Sequence, residues 1–140
     1  MAELNMIKLS VGSESVESLN EFQERRLATA GGLWHDTRMI PRRRRELLEG
    51  GSIYWVIKGL VQARQPLEDI EERVDDSGRS YARLVLRPGL VRVVPRPQRP
   101  FQGWRYLTAA QAPADLGESG DSLAEAPPEM LAELRELGLL

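Results

Sequence analysis

The chain has 140 residues, a formal net charge of −2, no cysteine and a single histidine, His35. This length favours one domain with its own hydrophobic core. The lack of cysteine excludes disulfides, thiolate catalysis and cysteine metal sites, and a zinc site with one histidine would rely on carboxylates. We therefore expect no metal and no cofactor. No apolar run is long enough to span a membrane and the N-terminus lacks a signal-peptide core, which predicts a cytoplasmic protein.

Charge is distributed unevenly along the chain. Residues 34–105 hold fifteen basic and nine acidic residues, whereas residues 106–140 hold one basic and seven acidic residues. This pattern predicts either an anion-binding body or an acidic tail that folds back on that body.

The first third of the chain predicts a strand, a helix, a strand and a short helix. Residues 6–11 alternate apolar and polar side chains, as a half-buried strand does. Residues 12–32 predict an amphipathic helix that begins with a glycine–serine pair and ends with two glycines. Residues 33–39 form a possible second strand. Pro41 suits the first position of a short helix over residues 42–49.

The fold is organised around residues 52–65, the longest β-prone apolar run. Its apolar side chains alternate between two sides of a strand: Ile53, Trp55 and Ile57 on one, Tyr54 and Val56 on the other. A strand that is apolar on both faces has cover on both, so we place it in the middle of a sheet. Gly59 within the run allows a bulge or a close backbone crossing.

Residues 66–74 are ambiguous, because their apolar spacing fits a helix while a strong turn signal follows at residues 75–78. We predict a long hairpin with its turn at 75–78. Further strands are predicted at residues 80–86, 90–94 and 104–107, the last of which could close the sheet, with a stiff proline-rich loop at residues 95–100. These elements predict an α+β domain with a small, strongly curved, mostly antiparallel sheet.

The last part of the chain changes composition. We predict a single domain over residues 1–111, followed over residues 112–140 by an acidic connector and a C-terminal helix. That helix has one apolar stripe, formed by Met130, Leu134 and Leu137. Such a stripe docks on the body or binds a partner, and we favour docking.

Residues 94–106 give the strongest prediction of a binding site. Arginines interleave there with aromatic side chains on a proline-stiffened backbone: Arg96, Arg99 and Arg105 with Phe101, Trp104 and Tyr106. Single-stranded nucleic acid is bound by such a combination, since cations contact phosphates and flat rings stack on bases. The alternative is that Phe101 and Trp104 fill the open end of a barrel while the arginines are solvated.

A second basic patch is the run of four arginines at residues 42–45. Helical spacing places Arg42 and Arg45 on one side and separates them from Arg43. If this helix lies beside the loop at residues 96–105, the two patches form one positive groove. Lys58 and Arg64, near the central strand, are further candidates for anion contact.

His35 is the place to look for acid–base chemistry. A lone histidine beside a tryptophan is more often structural than catalytic. No hydroxyl nucleophile has a recognisable elbow and no phosphate loop is present. The case for an enzyme is therefore thin, and it would require a small anionic, nucleotide-like substrate near His35, Lys58 and Arg64.

Three segments, residues 50–59, 62–65 and 99–107, carry a resemblance to a known family. The motifs Tyr-Trp-Val-Ile-Lys-Gly and Pro-Phe-Gln-Gly-Trp-Arg-Tyr are similar to those of small bacterial proteins catalogued as a domain of unknown function. The order of a basic helix, two glycines, a central strand and a long hairpin also resembles the PUA-like superfamily with its ASCH and EVE branches. That likeness implies a curved pseudo-barrel and RNA binding; the glutamate of the ASCH signature between Lys58 and Arg64 is absent.

These observations leave three hypotheses. The first is a small RNA-binding module that uses the arginine and aromatic surface. The second is a protein-interaction or regulatory module that acts through the acidic tail. The third is an enzyme or binder of a small anionic, nucleotide-like ligand.

Overall fold

The structure is a computed structural model that describes residues 3–116. In this range the elements follow the order β1 (Leu4–Leu9), α1 (Val16–Ala30), β2 (Leu33–Thr37), α2 (Arg44–Leu47), β3 (Ser52–Ile57), β4 (Leu60–Val74), β5 (Ser80–Leu86), β6 (Val91–Pro97) and β7 (Trp104–Thr108). None of these helices is long and apolar enough to cross a membrane.

The strands form one mixed sheet in the order β2-β5-β4-β3-β1-β7, with β6 paired to β4. The β1–β3 pair is parallel and the other strand pairs in residues 3–116 are antiparallel. The prediction of an α+β domain with a mostly antiparallel sheet is confirmed. The strand at residues 104–107 does not close the sheet, because β7 and β2 form its two ends.

Strand β3 lies between β1 and β4, as predicted for the most apolar strand. Ile53, Trp55 and Ile57 pack on the side covered by α1, and Tyr54 and Val56 pack on the opposite side. We call the first side the helix face and the second the loop face. The alternation predicted from the sequence is confirmed.

The prediction of one continuous strand over residues 52–65 is wrong at residues 58–59. Lys58 and Gly59 have φ angles of 50° and 77°, and together they form the tight turn between β3 and β4. Two consecutive positive φ values are those of a type I′ turn, whose twist matches antiparallel strands. Glycine accepts such a φ at little cost, so Gly59 makes a turn where we expected a bulge.

The long hairpin predicted from the turn signal is confirmed. Strands β4 and β5 pair from Leu67–Leu86 to Val74–Ser80. The Asp75 carboxylate accepts hydrogen bonds from the backbone N–H groups of Ser77 and Arg79, each at 2.9 Å. This side chain fixes the turn, and strand pairing overrides the helical spacing of residues 66–74.

A glycine follows each of the two helices and permits a backbone arrangement that a larger residue would not. Helix α1 has a capping box between Ser15 and Ser18 and ends at Gly31 in the left-handed conformation. Helix α2 is shorter than the predicted 42–49. A Cβ at Gly51 would lie 2.2 Å from the carbonyl oxygen of Leu47, so only glycine permits the close approach of this segment to the end of α2.

The sheet is strongly curved, as predicted. Strands β2 and β3 are separated in the sheet by β5 and β4, which in a flat sheet would hold them about 14 Å apart. The ring centroids of His35 on β2 and Trp55 on β3 are nevertheless only 5.7 Å apart. The sheet therefore curls, and its helix face becomes the inside of the curve.

Residues 109–116 cover part of the loop face. The backbone N–H of Val94 donates to the carbonyl of Ala114, Val93 forms a bridge with Asp115, and Leu116 is buried. The predicted C-terminal helix with its stripe at Met130, Leu134 and Leu137 lies outside the described residues, and the division at residue 111 stays a prediction.

Candidate functional site

The clearest basic site is a cleft on the loop face between β6 and β7, which we call the β6–β7 cleft. It has a volume of about 270 Å³ and is lined by Ile7, Arg96, Gln98, Arg105, Tyr106, Leu107 and Gln111. The Arg96 guanidinium also donates to the Gln111 carbonyl. No acidic residue between Glu3 and Leu116 lines this cleft, which brings two of the predicted anion-binding arginines together.

The aromatic side chains of the predicted site are buried. Phe101 is 8% exposed and Trp104 is 4% exposed. Trp104 donates its indole N–H to the carbonyl of Met39 at 2.7 Å, and the Arg105 guanidinium lies 4.7 Å from the centre of the Phe101 ring. Neither ring has an open face on which a base could stack. Both therefore stabilise the core, as the alternative interpretation expected.

Lys58 and Arg99 are exposed and lie beside this cleft. The backbone N–H of Gln98, a lining residue, donates to the carbonyl of Gly59 at 2.8 Å. This bond holds the Lys58–Gly59 turn against the segment that carries Arg99. The turn and this segment therefore place two further cations next to Arg96 and Arg105.

The arginines around α2 lie on the other side of β7. The backbone N–H groups of Arg42 and Arg43 both donate to the Tyr106 hydroxyl at 3.0 Å. Tyr106 packs against the core of the helix face, whereas its neighbours Arg105 and Leu107 point to the loop face. The two predicted basic patches thus border β7 from opposite faces and do not form one groove.

Acidic side chains accompany most of the α2 arginines. The Arg43 Nε lies 2.9 Å from Glu46, and Arg44 Nη2 lies 2.7 Å from Asp69. Arg42 lines a separate depression together with Glu71 and Glu72. Arg45 is exposed, with no ion pair in residues 3–116. These surroundings are less favourable for an anion than the β6–β7 cleft.

Arg64 lies at the opposite end of the loop face. Its guanidinium contacts both carboxylate oxygens of Asp115 at 2.7 Å and the Ser52 hydroxyl at 3.0 Å. It lines a cavity of about 540 Å³ together with Asn5 and Tyr54. The bond from Arg64 lowers the pKa of Asp115, and burial raises the pKa of Tyr54. Asp115 neutralises this arginine, which removes it from the set of anion sites.

His35 lies on the helix face, far from the other two residues of the predicted enzyme site. Burial, followed by the charge of Lys8, lowers the pKa of His35 from 6.5 to about 4, so its imidazole is neutral at pH 7. His35 lines one cavity, Arg64 lines another on the opposite face, and Lys58 is exposed in a turn. The hypothesis that these three residues form one site is wrong.

The cavity around His35 was not predicted from the sequence. This helix-side cavity has a volume of about 390 Å³ and lies between α1, β2 and β3. Among the residues that line it are Phe22, Arg25, Arg26, Trp34, His35 and Trp55. These residues come from three elements that meet only because the sheet curls. The adjacent Arg25 and Arg26 on α1 were the available signal.

A buried amide pair supports one wall of this cavity. The side chains of Gln23 and Gln65 exchange two hydrogen bonds of 2.8 and 2.9 Å. The Trp55 indole N–H donates to Gln65 Oε1 at 3.2 Å, and Gln65 Nε2 donates to the Arg87 carbonyl at 3.0 Å. The Trp55 ring is thereby fixed in place. Among the described residues no group of acidic or histidine side chains could hold a metal ion.

The chain belongs to a family described as a protein of unknown function (DUF1489), whose family model matches residues 6–140. This result confirms the resemblance to a domain of unknown function. No curated protein and no solved structure matches the chain. The function therefore has to be argued from the geometry.

Proposed function

We propose that the protein is a nucleic-acid-binding module whose ligand is RNA, and that the β6–β7 cleft contacts its phosphates. The observation that carries this proposal is the position of Arg96 and Arg105 in one cleft without an acidic lining residue between Glu3 and Leu116. Lys58 and Arg99 in the adjacent segments extend the positive surface.

The surroundings of the other arginines support this choice. Within residues 3–116, seven arginines form ion pairs with carboxylates: Arg38, Arg43, Arg44, Arg64, Arg73, Arg83 and Arg92. An arginine whose charge is already neutralised contributes little to attraction of a polyanion. These seven arginines are therefore weaker candidates for phosphate contact than the arginines of the β6–β7 cleft.

The burial of Phe101 and Trp104 limits the type of binding. Without exposed rings, the cleft makes phosphate contacts rather than base stacks. Phosphate contacts position a nucleic acid but carry no sequence information. Binding is therefore expected to be sequence-independent and to weaken as salt rises.

The test is the salt dependence of binding to an unstructured RNA oligomer, followed by fluorescence anisotropy. A single-stranded contact changes the slope of log K against log salt by about 0.7, so the double variant Arg96→Gln/Arg105→Gln should reduce the slope by about 1.4. Thermal unfolding of this variant checks that the loss of the Arg96–Gln111 contact leaves the fold intact.

A matched control keeps the change in net charge constant. The variant Arg73→Gln/Arg79→Gln removes two positive charges at the far hairpin and should leave the slope unchanged. The proposal is contradicted if the two double variants have equal slopes of log K against log salt. It is also contradicted if the unmodified protein does not bind the RNA at low salt.

Two further elements of the hypothesis remain proposals. The curled mixed sheet with a helix inside its curve supports a PUA-like pseudo-barrel. No match to a solved structure adds to this support. A regulatory role for the acidic tail stays a prediction, because residues 117–140 are not described. Deleting them tests whether the tail weakens RNA binding or stabilises the domain.

A further inference from the structure

The helix-side cavity has the size and the walls of a small-molecule site. Its volume of about 390 Å³ falls in the range of about 300–1,000 Å³ that is usual for ligand pockets. Phe22, Trp34 and Trp55 contribute aromatic walls. Phe22 is 51% exposed, which is unusual for a large apolar side chain and places it at the rim of the cavity.

The polar group on the inner wall is a neutral imidazole. No residue between Glu3 and Leu116 forms a hydrogen bond with the His35 ring, although the ring packs edge-on against Trp55. A neutral imidazole offers one N–H donor and one acceptor nitrogen. The edge of a flat heteroaromatic ring carries its own hydrogen-bond donor and acceptor, so it is complementary to this imidazole.

The rim of the cavity carries two cations. Arg25 and Arg26 line it, together with the single carboxylate of Glu21. The Arg26 guanidinium lies 5.0 Å from the Trp34 ring and 6.0 Å from the Phe22 ring, and these contacts hold the charge at the cavity edge. No described carboxylate forms an ion pair with either arginine, so the positive charge remains to attract an anionic group.

We propose that the helix-side cavity binds a small planar heteroaromatic anion. The ring lies beside the exposed Phe22 side chain with its polar edge at His35, and its phosphate or carboxylate lies at Arg25 and Arg26. This site does not depend on the proposed RNA binding, because the β6–β7 cleft lies on the opposite face of the sheet. A nucleoside monophosphate and an indole-type carboxylic acid share the chemistry that the cavity recognises.

The single histidine of the chain makes the test direct. Because His35 has no counterpart elsewhere in the sequence, the carbon-bound proton signals of its imidazole can be followed by NMR in the full-length protein without further assignment. We titrate with adenosine monophosphate, indole-3-acetate and inorganic phosphate. A saturable shift with either ring-bearing anion and none with phosphate supports the site, and the tighter ligand identifies the source.

Two pairs of variants locate the bound groups. Arg25→Gln/Arg26→Gln should weaken binding of the ring-bearing anion by about tenfold or more, whereas Arg73→Gln/Arg79→Gln removes equal charge elsewhere and should not. Phe22→Ala should also weaken binding, whereas Val74→Ala changes another exposed apolar side chain, 64% exposed, on the far hairpin.

Three results would overturn this proposal. The first is that neither ring-bearing anion causes a saturable change in the NMR signals of the His35 imidazole. The second is an equal shift with inorganic phosphate, which would make the arginines a surface anion site without a ring pocket. The third is equal weakening by the rim variants and by their matched controls on the hairpin.

Discussion

The helix face of β1 and β3 is covered by α1, whereas the loop face is covered by the loop that carries Phe101 and the segment that carries Ala112. On the helix face, buried amides satisfy one another and His35 is neutral. On the loop face, Arg64 is held by Asp115, and Arg96 and Arg105 lie in an open cleft. One sheet thus separates an aromatic cavity on its helix face from a basic cleft on its loop face.

The two faces differ because a helix covers one of them and irregular segments cover the other. A helix satisfies its own backbone hydrogen bonds and can press an apolar side against the sheet, which excludes water. Irregular segments need partners for their backbone groups, as the bonds from Arg96 to Gln111 and from Val94 to Ala114 illustrate. Such segments bring polar groups and solvent to the loop face.

The largest expected effect is on the helix face. Gln65→Leu leaves the Gln23 amide, the Trp55 indole N–H and the Arg87 carbonyl without their partner, so we expect a loss of about 3 kcal/mol in the free energy of unfolding. Urea unfolding measures it. The control Gln62→Leu removes one bond to the Ile57 carbonyl and should cost less; an equal or smaller loss for Gln65→Leu would show that the amide pair is not a cooperative network.

A smaller effect is expected on the loop face. Asp115→Asn removes the ion pair with Arg64, which is about a quarter exposed, so we expect a loss of about 1 kcal/mol at pH 7. The pKa of Asp115 is lowered by this arginine, so its contribution is present above the unfolded pKa and is lost as the pH falls through the folded pKa. Unfolding at several pH values should show the wild type and the variant converging in acid; a constant difference would contradict this assignment.

The effect that is smallest at pH 7, and that grows as the pH falls, concerns the charge state of His35. Its folded pKa of about 4 lies below the unfolded value of 6.5, so the unfolded chain binds more protons between these two pH values. Stability should therefore fall as the pH drops from 6.5 towards 4, and His35→Gln should flatten this slope. The NMR titration of the imidazole measures the pKa itself. A value near 6.5 would show that the ring is exposed to water.

The groups that face His35 decide this shift. Lys8 and Arg26 oppose its protonation, while Asp36 favours it. Asp36 is itself held by Arg83, whose Nε lies 2.9 Å from the carboxylate. Because the two cations and burial outweigh the one carboxylate, the lowered pKa is a property of the curled sheet rather than of the neighbouring residues in sequence.

Local patterns predicted the parts of the fold that depend on neighbouring residues. The alternation around Trp55 and the turn at Asp75 were identified correctly, because side-chain period and turn chemistry are local properties. The turn at Lys58 was missed, since an apolar pattern continues on both sides of it. Helix α2 was predicted too long, and the close approach of Gly51 to the carbonyl of Leu4, far away in sequence, was not predicted.

The candidate sites were less predictable for the same reason. The sequence identified Arg96 and Arg105, which the structure brings into one cleft, but it also selected Arg64, whose partner Asp115 is 51 residues away. The burial of Phe101 and the cavity around His35 both depend on how the sheet curls. Pairwise contacts across such distances leave no periodic signal in a single sequence.

The position of β1 has a consequence for the synthesis of the chain. This strand lies between β3 and β7, and Leu4 pairs with Thr108 at the sheet edge. At about 5–20 residues per second, the ribosome needs on the order of 5–20 s to reach β7 after β1 has been made. During this interval β1 has at most one neighbouring strand, and the unpaired backbone N–H and C=O groups of its free edge are open to other nascent chains.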